Sequence, residues 1–392
     1  MTKDTKNPLI YITAGEPSGD VLGARLMAAL KARENGNIRF AGIGGDLMAE
    51  EGLVSLFPMK ELSIMGLLEI LPHARRLLRR IKQAAKNVDD LKPDMVLTID
   101  SPGFAHRFAV AIKSKNITRV HYVAPSVWAW KPKRVFKFKK HFDHLLALLP
   151  FEPPYFEKVG LPCHFVGHSI IESGADKGDG VKFRKDNNIA EDNTVLCVLP
   201  GSRSGEVGRL LPVFQQTVEK LTNQSEKPFH VVIPTVSSMA DTIKKHTQNW
   251  RATVHIVEGT SVKYDAMAAS NAALAASGTV ALELAMAKVP TVVAYKFSTL
   301  THFILLRLVG DQFAHLLNII LDNEIIPERI QDDCNVENLS SDISSLLGQK
   351  GRDQISQLKP ALAQLQTPDH ELPSFSAADV VLKILKDNEN DS

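Results

Sequence analysis

Two kinds of hydrophobic pattern alternate along the chain. Short apolar runs rich in β-branched residues read as buried strands. Longer stretches with apolar positions every three or four residues read as amphipathic helices. In the first half the strand pattern falls at Leu9–Thr13, Ile38–Ala41, Met95–Ile99, Val120–Val123, Leu145–Leu148 and His164–Val166. Helical segments such as Val21–Arg33 and Phe104–Lys115 separate these runs. The second half repeats the scheme at Val195–Leu199, His230–Ile233, Thr253–Val257, Ala272–Ala275 and Thr291–Ala294. Alternation at this spacing implies parallel sheets with right-handed crossovers. The predicted fold class is therefore α/β, with two Rossmann-like parallel-sheet domains facing across a cleft and ligands at the carboxyl ends of the strands.

The segment Glu172–Gly180 is rich in glycine and charge and poor in apolar residues, so it reads as a linker. The expected division is an N-terminal domain over 1–170, a linker at 171–180, a second domain over 181–350, and C-terminal helices with a polar tail at 351–392. A length of 392 residues with 44% hydrophobic composition supplies material for two cores. Cys163, Cys197 and Cys334 lie far apart without metal-ligand spacing, which suggests buried thiols in a reducing, cytoplasmic setting. No stretch reads as a signal-peptide core, and none approaches the ~20 apolar residues of a membrane span.

The net charge of +2 implies no general attraction to nucleic acid, but the cations are unevenly placed. One basic run holds Arg75, Arg76, Arg79, Arg80, Lys82 and Lys86, and a second covers Lys131–Lys140. The first follows the apolar segment Leu62–Leu71, the pattern of an interfacial element on an anionic membrane surface. A buried helix beside a solvated one is the plainer alternative.

Candidate chemistry sits where strands end. The first strand runs into Ala14-Gly-Glu16-Pro-Ser18-Gly-Asp20, neither a phosphate-binding P-loop nor G-x-G-x-x-G. Gly42-Ile-Gly44-Gly45 follows the second strand. In Asp100-Ser-Pro-Gly-Phe104 a carboxylate directly follows a strand, placed either to cap a helix or to serve as a general base. The segment His121–Trp130 holds Pro125, Ser126, Trp128 and Trp130, a poor composition for a core strand. In the second half, the amides, Ser202 and Arg203 of Leu199-Pro-Gly-Ser202-Arg203-Ser-Gly-Glu206 suit a diphosphate at a helix N-terminus. Ser277-Gly278-Thr279 offers further amides, and Glu283, one turn later, suits a ribose diol. Each of these also has a plainer reading as a glycine turn, a capping residue or a solvated charge.

Taken in order, GEPSGD, GIGG, Met65-Gly66, DSPGF, YVAPSVWAW, LPFE, VGH, LPGSR and SGT-x-x-LE resemble the lipid A disaccharide synthases over roughly residues 8–330. The resemblance implies a GT-B fold and an inverting glycosyltransferase. Such an enzyme joins UDP-2,3-diacylglucosamine to 2,3-diacylglucosamine 1-phosphate, giving a β-1,6 disaccharide and UDP. It further implies Asp100 as the base with Glu16 beside it in the catalytic set. Ser18, Asp20, Gly44, Met65, Ser126 and Trp128 then bind the acceptor. Ser202, Arg203, Glu206, Ser277, Gly278, Thr279, Glu283 and Asn318 bind the UDP moiety. Amides and an arginine can stabilise the leaving diphosphate, so no metal or other cofactor is expected. The resemblance places the enzyme peripherally on the cytoplasmic face of the inner membrane and leaves a homodimer open. Two departures stand out: Ser169 after Val-Gly-His, and Leu317–Asp322, where Asn318 survives in an altered loop. The alternatives are another GT-B enzyme acting on UDP-N-acetylglucosamine, an epimerase or muramyl-type transferase, or a non-catalytic lipid or nucleotide-sugar binding protein.

Overall fold

The computed structural model describes residues 7–62, 67–128, 131–297 and 313–390, with side chains described throughout except at 67–74, 389 and 390. The chain forms two compact units. The first runs to Ser169 and resumes at Leu365, and the second holds Ile170–Gln364.

The first unit is built on a parallel sheet of β1 (Leu9–Ala14), β2 (Arg39–Ile43), β3 (Met95–Ile99), β4 (Thr118–Tyr122), β5 (His144–Ala147) and β6 (Cys163–Phe165), in the spatial order β2-β1-β3-β4-β5-β6. Successive residues face opposite sides of a strand, and the two faces of this sheet are covered by different helices. Ile10, Ile12 and Leu97 pack with Leu26 and Leu30 of the helix Pro17–Arg33 and with Val381 and Leu385 of the helix Pro373–Asn390. On the other face Tyr11 and Val96 meet Phe104 and Phe108 of the helix Pro102–Ala111 and Val88 of the helix Leu67–Leu91. Of the helices in the expected C-terminal segment 351–392, Gln349–Gln364 falls in the second unit and Pro373–Asn390 in the first. Arg33 fastens the returning helix: its guanidinium bonds both Asp379 oxygens at 2.8 Å, pairs with Glu371 and lies over the Phe375 ring.

The second unit repeats the plan with β7 (Thr194–Leu199), β8 (Phe229–Pro234), β9 (Thr253–Val257), β10 (Ala272–Ala276), β11 (Thr291–Tyr295) and β12 (Glu328–Ile330), in the order β12-β11-β10-β7-β8-β9, again all parallel. Leu196 and Val198 face Phe214 and Val218 of the helix Ser204–Gln224. Val195 and Cys197 face Met267 of the helix Thr260–Ala268 and Leu284 of the helix Val280–Met286. All three cysteines are buried and free.

Every strand read from the sequence is present, and among the described residues only β12 was not foreseen. The expected helix over Phe104–Lys115 stops at Ala111 because Asp89 captures the next turn. Its carboxylate accepts from the amides of Lys113 and Ser114 and from the Ser114 hydroxyl. The expected linker at 171–180 contains the single turns Ser169–Glu172 and Ala175–Lys177 and opens the helix Gly180–Asp186. No helix among the described residues is long and apolar enough to cross a membrane.

Candidate active site

Each sheet has one point where the chain reverses its direction of strand addition. In the first unit it lies between β1 and β3, and in the second between β7 and β10. Neighbouring loops diverge at such a point and leave a crevice at the carboxyl ends. The motif loops after Ala14, Ile99, Leu199 and Ala276 are the ones at these two crevices.

In the first unit, Glu16, Ser18 and Asp100 lie together, joined by Ser101. The Ser18 hydroxyl donates to Asp100 Oδ2 at 3.3 Å, and the Ser101 amide donates to Asp100 Oδ1 at 2.7 Å. The Ser101 hydroxyl donates to Glu16 Oε1 at 3.0 Å. Asp100 and Ser101 both have left-handed backbone, with φ of 53° and 44°. Two consecutive non-glycine residues there are costly and persist only where the surroundings hold them. Here the Asp100 amide donates to Tyr122 O, and Ser101 starts the helix Pro102–Ala111. The strained turn keeps the carboxylate half-exposed at the strand end.

Two residues expected at the acceptor, Asp20 and Gly44, are buried in scaffold contacts. Asp20 is buried, and its carboxylate accepts from the amides of Gly45 at 2.8 Å and of Leu47 and Met48 at 3.1 Å. It thereby satisfies the N-terminal amides of the helix Asp46–Glu50 and fixes the glycine loop. Gly44 is also buried, where a Cβ would stand 2.7 Å from Met48 Sδ and 2.8 Å from Leu53 Cδ2, so its role is close packing. Ser126 is exposed, and Met65 lies outside the described residues.

Trp128 is held by its indole N–H, which donates to Glu152 Oε1 at 3.2 Å, and by an edge-on contact with Phe151. Glu152 is 3% exposed and its Oε2 accepts from the Leu149 amide at 3.2 Å. Burial pushes this carboxyl up to about 7, against the opposing pull of the Trp128 and Leu149 hydrogen bonds. The LPFE motif marked its position, but nothing local in the sequence signals its burial.

The basic run lies on the helix Leu67–Leu91. Arg76 and Arg80 turn to buried Glu61, with contacts of 2.9, 2.8 and 2.6 Å. These hydrogen bonds, Arg80 first and then Arg76, hold Glu61 down at about 2. Arg75, Arg79 and Lys82 remain exposed.

In the second unit a cavity of about 670 Å³ opens at the reversal point, the size of a small-molecule site. One wall carries Gly201, Ser202, Arg203 and Glu206; the other carries Ser277, Gly278, Thr279 and Glu283. Gly201 has φ of 112°, and a Cβ there would lie 2.7 Å from the Glu206 side chain, so glycine alone permits this turn. Glu206 binds the loop back on itself, accepting from the Ser202 amide at 3.3 Å and from Arg203 at 3.2 Å. Sequence reasoning missed Lys263 and Tyr264, which hydrogen-bond Glu283 from a helix 20 residues upstream.

Asn318 is absent from this wall. It is fully buried, donating to Ile326 O and Glu328 Oε1 and accepting from the amides of Ile325 and Ile326. Its side-chain donors and acceptors are all engaged within the altered loop.

Residues 10–374 match the family model described as lipid-A-disaccharide synthetase. The chain belongs to the lipid-A-disaccharide synthase family. A relative of that name from Rhodospirillum centenum is 48% identical over 384 residues, covering 96% of this chain and 94% of its own. The enzyme is thus a glycosyltransferase of lipid A biosynthesis. Solved structures with similar folds include S. aureus MnaA with UDP, at TM-score 0.62 and 12% identity over 98% of this chain and 97% of that one. Another is Acinetobacter baumannii MurG, at TM-score 0.59 and 13% identity over 96% and 99%. These likenesses establish the GT-B fold.

Proposed function

We propose that the first unit binds 2,3-diacylglucosamine 1-phosphate and the second binds UDP-2,3-diacylglucosamine, with Asp100 as the general base. The acceptor 6-hydroxyl attacks the anomeric carbon of the donor, its proton passes to Asp100, and the bond to the UDP oxygen breaks with inversion. The observation that carries this reading is the Asp100 carboxylate, held on a strained turn and oriented by Ser18 and the Ser101 amide. Glu16 fixes Ser101 and so acts as a positioning residue. Arg203 and the amides of Ser277–Thr279 stabilise the charge that develops on the diphosphate, and Glu283 takes the ribose. The exposed Arg75, Arg79 and Lys82 hold the enzyme on an anionic membrane surface.

UDP release from UDP-2,3-diacylglucosamine, with and without the acceptor and in detergent containing EDTA, tests the reading. Acceptor-dependent release by the wild type and its fall by about 10²–10⁴-fold in Asp100→Ala, with UDP affinity retained, support it. Undiminished turnover by Asp100→Ala removes the base assignment. Epimerisation of UDP-N-acetylglucosamine with no transfer to the lipid acceptor removes the substrate assignment.

A further inference from the structure

Glu283 is already occupied. The Lys263 ammonium lies 2.8 Å from each of its carboxylate oxygens, and the Tyr264 hydroxyl adds a bond to Oε1 at 3.1 Å. A group equidistant from both oxygens stands where a ribose cis-diol would place its hydroxyls. The diol therefore takes this carboxylate only if the ammonium leaves.

The cavity's charged lining residues among those described are Arg203, Glu206, Lys263 and Glu283, and they pair off as Arg203–Glu206 and Lys263–Glu283. The Glu283 side chain is 17% exposed, so stripping away its partner without replacement is costly. Two ribose hydroxyls supply that replacement. Lys263 has a flexible four-carbon stem, three donors and a side chain 25% exposed, so it can turn without repacking the core. It rises from the first turn of the helix Thr260–Ala268, and Thr260 and the preceding Gly259 also line the cavity.

We infer that Lys263 is a diphosphate-binding residue stored on Glu283. The ribose takes the carboxylate, and the displaced ammonium turns to the phosphate oxygens. This rests on the reading of the cavity as the UDP site. The exchange makes the nucleoside and the diphosphate interdependent. Uridine alone must break the ion pair and offers the ammonium nothing, whereas UDP offers it an anionic diphosphate.

Calorimetric titration of the full chain with uridine and with UDP tests this, using wild type, Lys263→Met and Lys263→Arg. Loss of a charge-assisted contact predicts UDP binding weaker by about tenfold or more in Lys263→Met. Uridine binding should hold or tighten, because Glu283 is then free for the diol, and Lys263→Arg should recover most of the UDP affinity. Unchanged UDP affinity in Lys263→Met overturns the inference. So does an equal loss for uridine and UDP, which would make Lys263 a prop for the pocket. Failure of the wild type to bind UDP would instead bring down the cavity reading, and the inference with it.

Discussion

Glu152→Gln isolates the consequence of burying a carboxyl under Trp128. In the fold this group holds its proton to about pH 7, whereas its ordinary value is 4.5. Its folded value is raised, so the stability it contributes is complete below pH 4.5 and is lost as pH climbs toward 7. At about 1.36 kcal/mol per pH unit, the loss across that window is about 3 kcal/mol. Glutamine cannot ionise and carries no such slope. Its carboxamide oxygen can still accept from the Trp128 indole, but its amino group would then face the Leu149 amide, two donors in opposition. That mismatch is a constant offset, so the diagnostic quantity is how the difference between the two proteins varies with pH. Urea unfolding of both proteins in a Trp250→Phe background, followed by the fluorescence of Trp128 and Trp130, reports on the first unit. The variant should gain on the wild type by about 3 kcal/mol between about pH 4.5 and pH 7, with little further change above. A difference that stays flat over this range would mean the wild-type carboxyl is ionised throughout, and the burial argument would fail.

Glu61→Gln should have the opposite signature. Arg80 and Arg76 hold the folded value at about 2, so the wild-type contribution is present above pH 4.5 and lost as pH falls toward 2. Acid unfolding of the variant should lack that limb, and an unchanged acid profile would count against the pairing. Gly42→Ala should cost about 3 kcal/mol or more, since its φ is 139° and a Cβ would stand 1.9 Å from Ile12 O; thermal unfolding at near wild-type temperature would contradict this. Replacing Arg75, Arg79 and Lys82 by serine should move protein from anionic vesicles to the supernatant in a sedimentation assay while leaving the fold intact. Equal partitioning of variant and wild type would count against the membrane surface.

The strands were legible because interior parallel strands read as unbroken apolar runs, as in Val195–Leu199. The sequence Glu328-Arg-Ile330 has no such run: β12 is a half-buried edge strand, and pairing with β11 makes it a strand. The helix Pro373–Asn390 was legible as a helix, but an amphipathic period does not say which sheet it covers. The placement of Asp100, Arg203 and Ser277–Thr279 at the crevices was legible because their motifs begin where strands end. The scaffold contacts of Asp20 and Asn318 were not legible, for a shared reason. Their partners are backbone amides 25–28 and 7–8 residues away, to which side-chain type gives no clue. Lys263 was invisible for the same reason, its carboxylate lying 20 residues on.

The helix Pro373–Asn390 also sets an order of events during synthesis. A ribosome makes the whole sheet of the first unit, then all of the second unit, before it makes the residues that cover Ile10, Ile12 and Leu97. Until then that face is only partly covered, by the helix Pro17–Arg33. The second unit can close its core while the first is still waiting, so the domain begun first is completed last. Its nascent form presents an apolar strip at the time when neighbouring chains and chaperones can reach it. Premature termination near residue 365 would release a chain with a finished second unit and a first unit left open to aggregation.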